Sequence, residues 1–339
     1  MSETPTLKAS VLVKLDRNFD KEGAGCALLE GPLPYSHDGQ HYFIVLNVYG
    51  WEVLVLDLEG NVIVAIETDS AVGSCALGQN GTLLYGTRTG LYRVSPFADT
   101  PSPEKVCELP INPNLCRTND GQTAPDGTLV VGTIVDRGDG AFSDHIAGAF
   151  TVKVEDGKPA LKQIVRNGVV SNGHCWNSDG SVFYYVESTE DGTIRAYDWD
   201  KDGATIENDD DFTGPTSDLQ TIEVSGVTFP NGDCEGTVLL GELLDGGAIT
   251  DNGHLVWAVW GASKLVDIDP DASEGEEVVR EIEVPFRRPT CPAFVGEDLT
   301  TLVVTSEWKE GDPEDEKGAI AILNFEDGTK GVAPNVANF

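Results

Sequence analysis

Four oxygen-bearing side chains stand at one register in separate stretches of this 339-residue chain. Asn119, Asn172 and Asp245 each lie seven residues before a turn-forming Asp126, Asp179 or Asn252, and Glu30 lies eight before Asp38. Gly73 and Cys291 hold the same place before Asn80 and Asp298. Two carboxylates and two amides are hard donors. Such a set suits Ca²⁺ or Mg²⁺, Mn²⁺ less exclusively, and Zn²⁺ where carboxylates dominate. Without a cation, two carboxylates so close would repel, and one would hold its proton. Arg117 and Asp120 bracket Asn119, Asp136 follows the next apolar run, and His174 follows Asn172-Gly173. Arg117 and Asn119 are two residues apart, so on a strand both side chains point to one face. A lone His is given no catalytic role. No HExxH, GxSxG or phosphate loop is present, which leaves metal-assisted chemistry as the best-supported class.

The elements that must position these residues repeat. Asp38-Gly39, Asn80-Gly81, Asp126-Gly127, Asp179-Gly180, Asn252-Gly253 and Glu297-Asp298 each precede an apolar run. Asx-Gly between apolar runs marks a hairpin, because these residues tolerate positive φ. A third strand follows each hairpin (53–57, 91–94, 149–154, 193–198, 264–269, 319–325), and a more variable fourth is read at 62–67, 105–109, 161–166, 221–224 and 278–284. Four strands repeated six times predict an all-β, six-bladed β-propeller, with four-stranded antiparallel blades around a central channel. One domain spans 1–339, and an N-terminal strand near 10–15 is expected to close the last blade, removing an exposed edge. Equivalent positions in such a ring face one another, so Glu30, Asn119, Asn172 and Asp245 are expected at one mouth of the channel.

Composition bounds the partners. Against 22 Lys and Arg stand 57 Asp and Glu, a net charge of −35. This argues against nucleic acid and anionic membranes and is compatible with a high-salt habitat. Acidic peaks at 207–211 and 310–316 read as rim loops. Seven Cys at 26, 75, 107, 116, 175, 234 and 291 show no CxxC or zinc spacing and read as buried thiols. No signal-peptide core and no apolar run of membrane length appears. The expectation is a soluble cytoplasmic protein, a monomer or weak homodimer.

At the residues above, the chain resembles the gluconolactonase / regucalcin / luciferin-regenerating-enzyme family. The matching stretches are Glu30-Gly31-Pro32, Arg117-Thr118-Asn119-Asp120-Gly121, Gly132-Thr133-Ile134, Ser171-Asn172-Gly173, Ser178-Asp179-Gly180, Asp245-Gly246, Trp260-Gly261 and Arg288-Pro289-Thr290-Cys291. Each is weak alone; in order, from Glu30 to Phe339, they are specific. The resemblance implies one divalent cation held by Glu30, Asn172 and Asp245 with Asn119 close by, calcium first, with zinc, magnesium or manganese as alternatives. It implies a small sugar lactone as substrate, with polar contacts from Arg117, Asn119 and Asp136. Leu29, Leu244 and the long acidic stretch 205–245 depart from the family pattern and bear on the substrate.

Combined, these readings predict a metal-dependent lactonase that opens an aldonolactone to its aldonic acid. The metal polarises the carbonyl, water attacks, and Asp245 or Asp120 serves as general base. Two rivals are an organophosphate or aryl-ester hydrolase of the diisopropylfluorophosphatase type, and a non-catalytic propeller that uses its cation structurally.

Overall fold

The structure is a computed structural model, and it describes residues 4–137, 145–189, 193–202, 205–206, 220–223, 243–273 and 276–339. Two short strands lead, β1 (Thr6–Lys8) and β2 (Ser10–Lys14). Group one is β3 (Cys26–His37), β4 (Gln40–Asn47), β5 (Glu52–Asp57) and β6 (Val62–Glu67). Group two is β7 (Val72–Leu77), β8 (Leu83–Thr87), β9 (Leu91–Val94) and β10 (Glu104–Cys107). Group three is β11 (Cys116–Thr123), β12 (Leu129–Val135), β13 (Ala147–Glu155) and β14 (Lys158–Gly168). Group four is β15 (Ser171–Trp176), β16 (Val182–Glu187), β17 (Thr193–Asp200), β18 (Thr205–Ile206) and β19 (Gln220–Glu223). Group five is β20 (Leu243–Ile249), β21 (Leu255–Trp260), β22 (Lys264–Ile268) and β23 (Val278–Glu283). Group six is β24 (Arg288–Val295), β25 (Thr301–Lys309) and β26 (Ala319–Asn324). Among the described residues the only helical turns are two short 3₁₀ segments, so the fold is all-β.

Within each group the strands pair antiparallel in chain order. In group four, β18 and β19 both pair with β17. The acidic peak 207–211, Cys234 and most of the long 205–245 stretch lie outside the described residues. β2 pairs antiparallel with β26 and β1 runs parallel to β23, so the first strands of the chain join groups six and five. Groups one and six are further joined where β25 pairs with β3.

The first strands of the groups touch in sequence, β3 to β7, β11, β15, β20, β24 and back to β3. That closed cycle places six strand starts around one axis. Apolar side chains fill the space between neighbouring groups. Phe43, Val45 and Leu54 of group one meet Val303 and Ile320 of group six, and Cys175 and Val186 of group four meet Leu255 and Trp257 of group five. These strands are buried on both faces, so they read as near-continuous apolar runs rather than strict alternation.

The turns differ in detail. Asp38-Gly39 and Asn80-Gly81 carry positive φ at both residues, as their hairpins require, and Gln79–Gly81 forms a 3₁₀ turn. In the last hairpin Gly296 and Leu299 take the positive φ, not Glu297-Asp298. The segment 330–339 runs along these turn ends. Asp251 N donates to Lys330 O and Val332 N to Ile249 O in group five; Ala337 N donates to Leu77 O and Gln79 N to Phe339 O in group two; Asn338 N donates to Gly127 O in group three. The segment thereby connects groups five, two and three. Within the segment, Ala337 is fully buried. No helix among the described residues is long and apolar enough to cross a membrane.

Candidate functional site

Every first strand loses register at the same place. The breaks fall between Glu30 and Leu33, Val72 and Ser74, Thr118 and Gly121, Asn172 and Cys175, Leu244 and Gly247, and Pro289 and Pro292. A bulge of this kind kinks a strand and re-aims a side chain. Here it falls on or beside each of Glu30, Asn119, Asn172 and Asp245, the residues that share one sequence register. Group two has Gly73 instead, where a Cβ would stand 1.9 Å from Thr118 O. At this register its strand therefore contributes no side chain. At Gly173, φ is +64° and a Cβ would meet Trp257 Cζ2 at 2.0 Å, so the turn after Asn172 admits only glycine.

The two amides meet directly. Asn119 Nδ2 donates to Asn172 Oδ1 at 2.7 Å and to Ser171 O at 2.9 Å. Asn172 Nδ2 donates to Ser188 Oγ at 2.8 Å, and that hydroxyl donates to Leu244 O at 2.6 Å, beside Asp245. Behind Asn119 lies Arg117, 2% exposed. Its Nη1 donates to Asn119 Oδ1 at 2.8 Å and to Thr118 O at 2.9 Å, and its Nε donates to Asp136 Oδ2 at 3.0 Å. The guanidinium also lies 5.3 Å from the Tyr49 ring centre. Arg117 thus shares a face with Asn119 as their spacing requires, and its donors are occupied by protein.

The carboxylates divide into two kinds. Asp120 has φ +53°. Its Oδ1 accepts from Gly121 N at 2.6 Å, and its Oδ2 accepts from Gly173 N at 2.7 Å and lies 3.4 Å from His174 Nδ1. Burial opposes its charge, but His174 and the two amides outweigh burial and hold it below the usual range. Glu30 accepts one bond, from Gly31 N at 3.0 Å. Burial, then the charge of Asp120, push it up to about 8. Burial, then the charges of Glu30, Glu307 and Asp120, push Asp245 well above the usual range. The Cys75 and Cys291 thiols are raised by burial and then by the same carboxylates, so they are not offered as thiolates.

This donor set fits a divalent cation. Two buried carboxylates repel each other, and a cation between them relieves both burial and repulsion. Each amide oxygen accepts one bond from the protein and keeps a second lone pair. Among the described residues no three His, Cys, Asp or Glu side chains form a metal cluster by themselves, so Asn oxygens are needed to complete one.

Loops supply further residues that no repeat marks. Arg88, just after β8, donates from Nη2 to Asp136 Oδ2 at 2.8 Å and to Glu22 Oε2 at 2.8 Å. Its Nη1 donates to Asp136 O at 3.1 Å. Glu22 Oε1 accepts from Trp51 Nε1 at 2.9 Å. Tyr49 OH donates to Asp136 Oδ2 at 3.3 Å. Opposing charges on Arg117 and Arg88 hold Asp136 below the usual carboxylate range, although burial acts the other way. Glu307, on β25, accepts from Trp260 Nε1 at 2.8 Å, and its charge reaches both Glu30 and Asp245.

Residues 28–307 match the family described as the SMP-30/Gluconolactonase/LRE-like region. A relative from Bacillus subtilis (strain 168), provisionally named sugar lactone lactonase YvrE, is 26% identical over 277 residues, covering 82% of this chain and 82% of its own. A 6-deoxy-6-sulfogluconolactonase of Pseudomonas putida is 25% identical over 252 residues, covering 74% of each chain. The solved structure of a calcium-binding protein, regucalcin, from Agrobacterium tumefaciens superposes with a TM-score of 0.74 at 20% identity, covering 99% of each chain. At that identity the likeness shows a propeller-like fold.

Proposed function

Because the chain belongs to the SMP-30/gluconolactonase/LRE-like family, we propose that it is a lactonase that opens a sugar lactone to the corresponding aldonic acid. The observation that carries this reading is the pairing of two buried, high-lying carboxylates, Glu30 and Asp245, with the Asn119–Asn172 amide pair. The surrounding frame is read as six four-stranded blades of one domain, with this set at the starting ends of the first strands.

Glu30, Asn172 and Asp245 would hold one divalent cation, calcium first, with Asn119 beside them. When bound, it supplies Lewis-acid polarisation of the lactone carbonyl. Asp245 is the better general base of the two candidates. Asp120 spends its lone pairs on Gly121 N, Gly173 N and His174, whereas Asp245 accepts no hydrogen bond among the described residues. It takes a proton from water as the water oxygen bonds to the carbonyl carbon, and the ring C–O bond then breaks as its oxygen takes up a proton. Asn119 orients the substrate. Arg117 and Asp136, expected from sequence as direct contacts, are read instead as positioning residues: Arg117 fixes the Asn119 amide, and Asp136 fixes Arg117.

A pH-indicator screen of five- and six-membered aldonolactones tests the reading, with chelator-stripped protein as control. Turnover that vanishes on stripping and returns with divalent cation supports it. No turnover with any aldonolactone in the cation-loaded protein overturns it.

A further inference from the structure

We infer that Glu22 and Arg88 set the charge selectivity of the site: they bias it toward lactones without an anionic substituent. The inference rests on the lactonase reading above and adds which lactones are accepted.

Two guanidiniums connect by hydrogen bonds to the Asn119–Asn172 pair, and both are neutralised before any substrate arrives. Arg117 gives Nε to Asp136 and Nη1 to Asn119 and Thr118 O. Arg88 gives Nη2 to Asp136 and Glu22, and Nη1 to Asp136 O. Two positive and two negative charges cancel, and both Arg88 and Glu22 keep partial exposure, 15% and 20%. Glu22 is itself fixed, by Trp51 Nε1 at 2.9 Å and Ala71 N at 3.3 Å, so its charge does not swing away from Arg88. Beyond this quartet stand the carboxylates Glu30, Asp120, Asp245 and Glu307, and a cation held at Glu30 and Asp245 would offset those two. Arg88 in particular has the reach, charge and exposure of an anion-binding residue, and Glu22 consumes that capacity. A phosphate that reaches Arg88 therefore finds its guanidinium already paired, in a protein of net charge −35.

The test compares kcat/KM for D-glucono-1,5-lactone and its 6-phosphate ester, in the cation-loaded parent and in Glu22→Gln. Gln keeps an oxygen for Trp51 Nε1 and Ala71 N while releasing the charge of Arg88. The parent should favour the uncharged lactone by about tenfold or more, and Glu22→Gln should shrink that ratio by about three- to tenfold at low salt. The shrinkage should fade in 0.5 M KCl, since the effect is electrostatic. Arg88→Gln should move the ratio the opposite way, because it leaves Glu22 unpaired. A parent that uses both lactones equally, or a ratio unmoved by Glu22→Gln, overturns the inference. Titration calorimetry with 1,5-anhydroglucitol and its 6-phosphate separates the two readings. Should neither lactone turn over, the lactonase reading falls while the ratio of dissociation constants still judges selectivity. Tighter binding of the uncharged ligand then supports the inference, and equal or tighter binding of the phosphate overturns it.

Discussion

Asn119 and Asn172 are joined side chain to side chain, Nδ2 to Oδ1 at 2.7 Å, across the seam between groups three and four. The bond makes two first strands report on each other. From Asn119 the chain of contacts continues through Arg117 to Asp136, and from Asn172 through Ser188 to Leu244 O. The predictions follow from cutting it at chosen points.

Arg117→Ala removes a buried guanidinium and leaves Asn119 Oδ1 and part of Asp136 unsatisfied. Loss of one partner of a buried pair costs about 3 kcal/mol or more, so the variant should unfold at lower urea than the parent. Among folded molecules, kcat/KM for a sugar lactone should fall about a hundredfold while calcium still binds. Unchanged kcat/KM in the folded fraction would leave Arg117 a purely structural residue.

Asp245→Asn keeps the shape of the side chain and removes both a ligand charge and the proposed base. Hydrolysis should drop by about three orders of magnitude, with circular dichroism unchanged. Turnover near the parent level would refute the assignment.

Glu30 carries the pH dependence. Its ordinary value of 4.5 is raised to about 8 in the folded chain, by burial and then by Asp120. The folded state therefore binds its proton more tightly than the unfolded state. Stability from this group is complete below pH 4.5 and is lost as pH rises through about 8. Cation binding must displace that proton. The gain in melting temperature from calcium should thus be larger at pH 8 than at pH 5.5. Scanning fluorimetry at both values, with and without chelator, checks the sign.

Gly173→Ala places a methyl 2.0 Å from Trp257 Cζ2 at a φ of +64°. Either Trp257 or the Asn172 turn must move. We expect a loss of about 2 kcal/mol or more and lower cation affinity, read by urea titration and calorimetry.

Added salt should raise the melting temperature. A chain of net charge −35 repels itself, and counterions screen that repulsion. A melting point that stays flat from low to molar KCl would set aside the high-salt reading.

Much of the frame was legible because short apolar runs and Asx-Gly turns are local signals. The strand expected at 62–67 is β6, and the turns at Asp38-Gly39 and Asn80-Gly81 take the positive φ their residues permit. The register of Glu30, Asn119, Asn172 and Asp245 was visible because each sits a fixed distance from its turn. The bulges beneath them were not, since a bulge appears only when two strands are compared. Glu22, Tyr49 and Arg88 were invisible for another reason: separate loops bring Tyr49 and Arg88 to Asp136 and Glu22 to Arg88, and no spacing within one loop announces the others. Arg117 was legible as a neighbour of Asn119, but its commitment to Asp136, 19 residues on, depends on the third group folding back on itself.

The segment 330–339 bears on form, and the placement of Asp136 and Arg88 bears on kinetics. The segment ties the turn ends of groups two and five to each other. If the site works as proposed, lactone approaches Asp245 from the side of Asp136 and Arg88, and the aldonate leaves the same way. An aldonate on its way out occupies the ground that the next lactone needs. Product and substrate then share one door, and accumulating aldonate should slow the enzyme by raising KM while leaving kcat untouched.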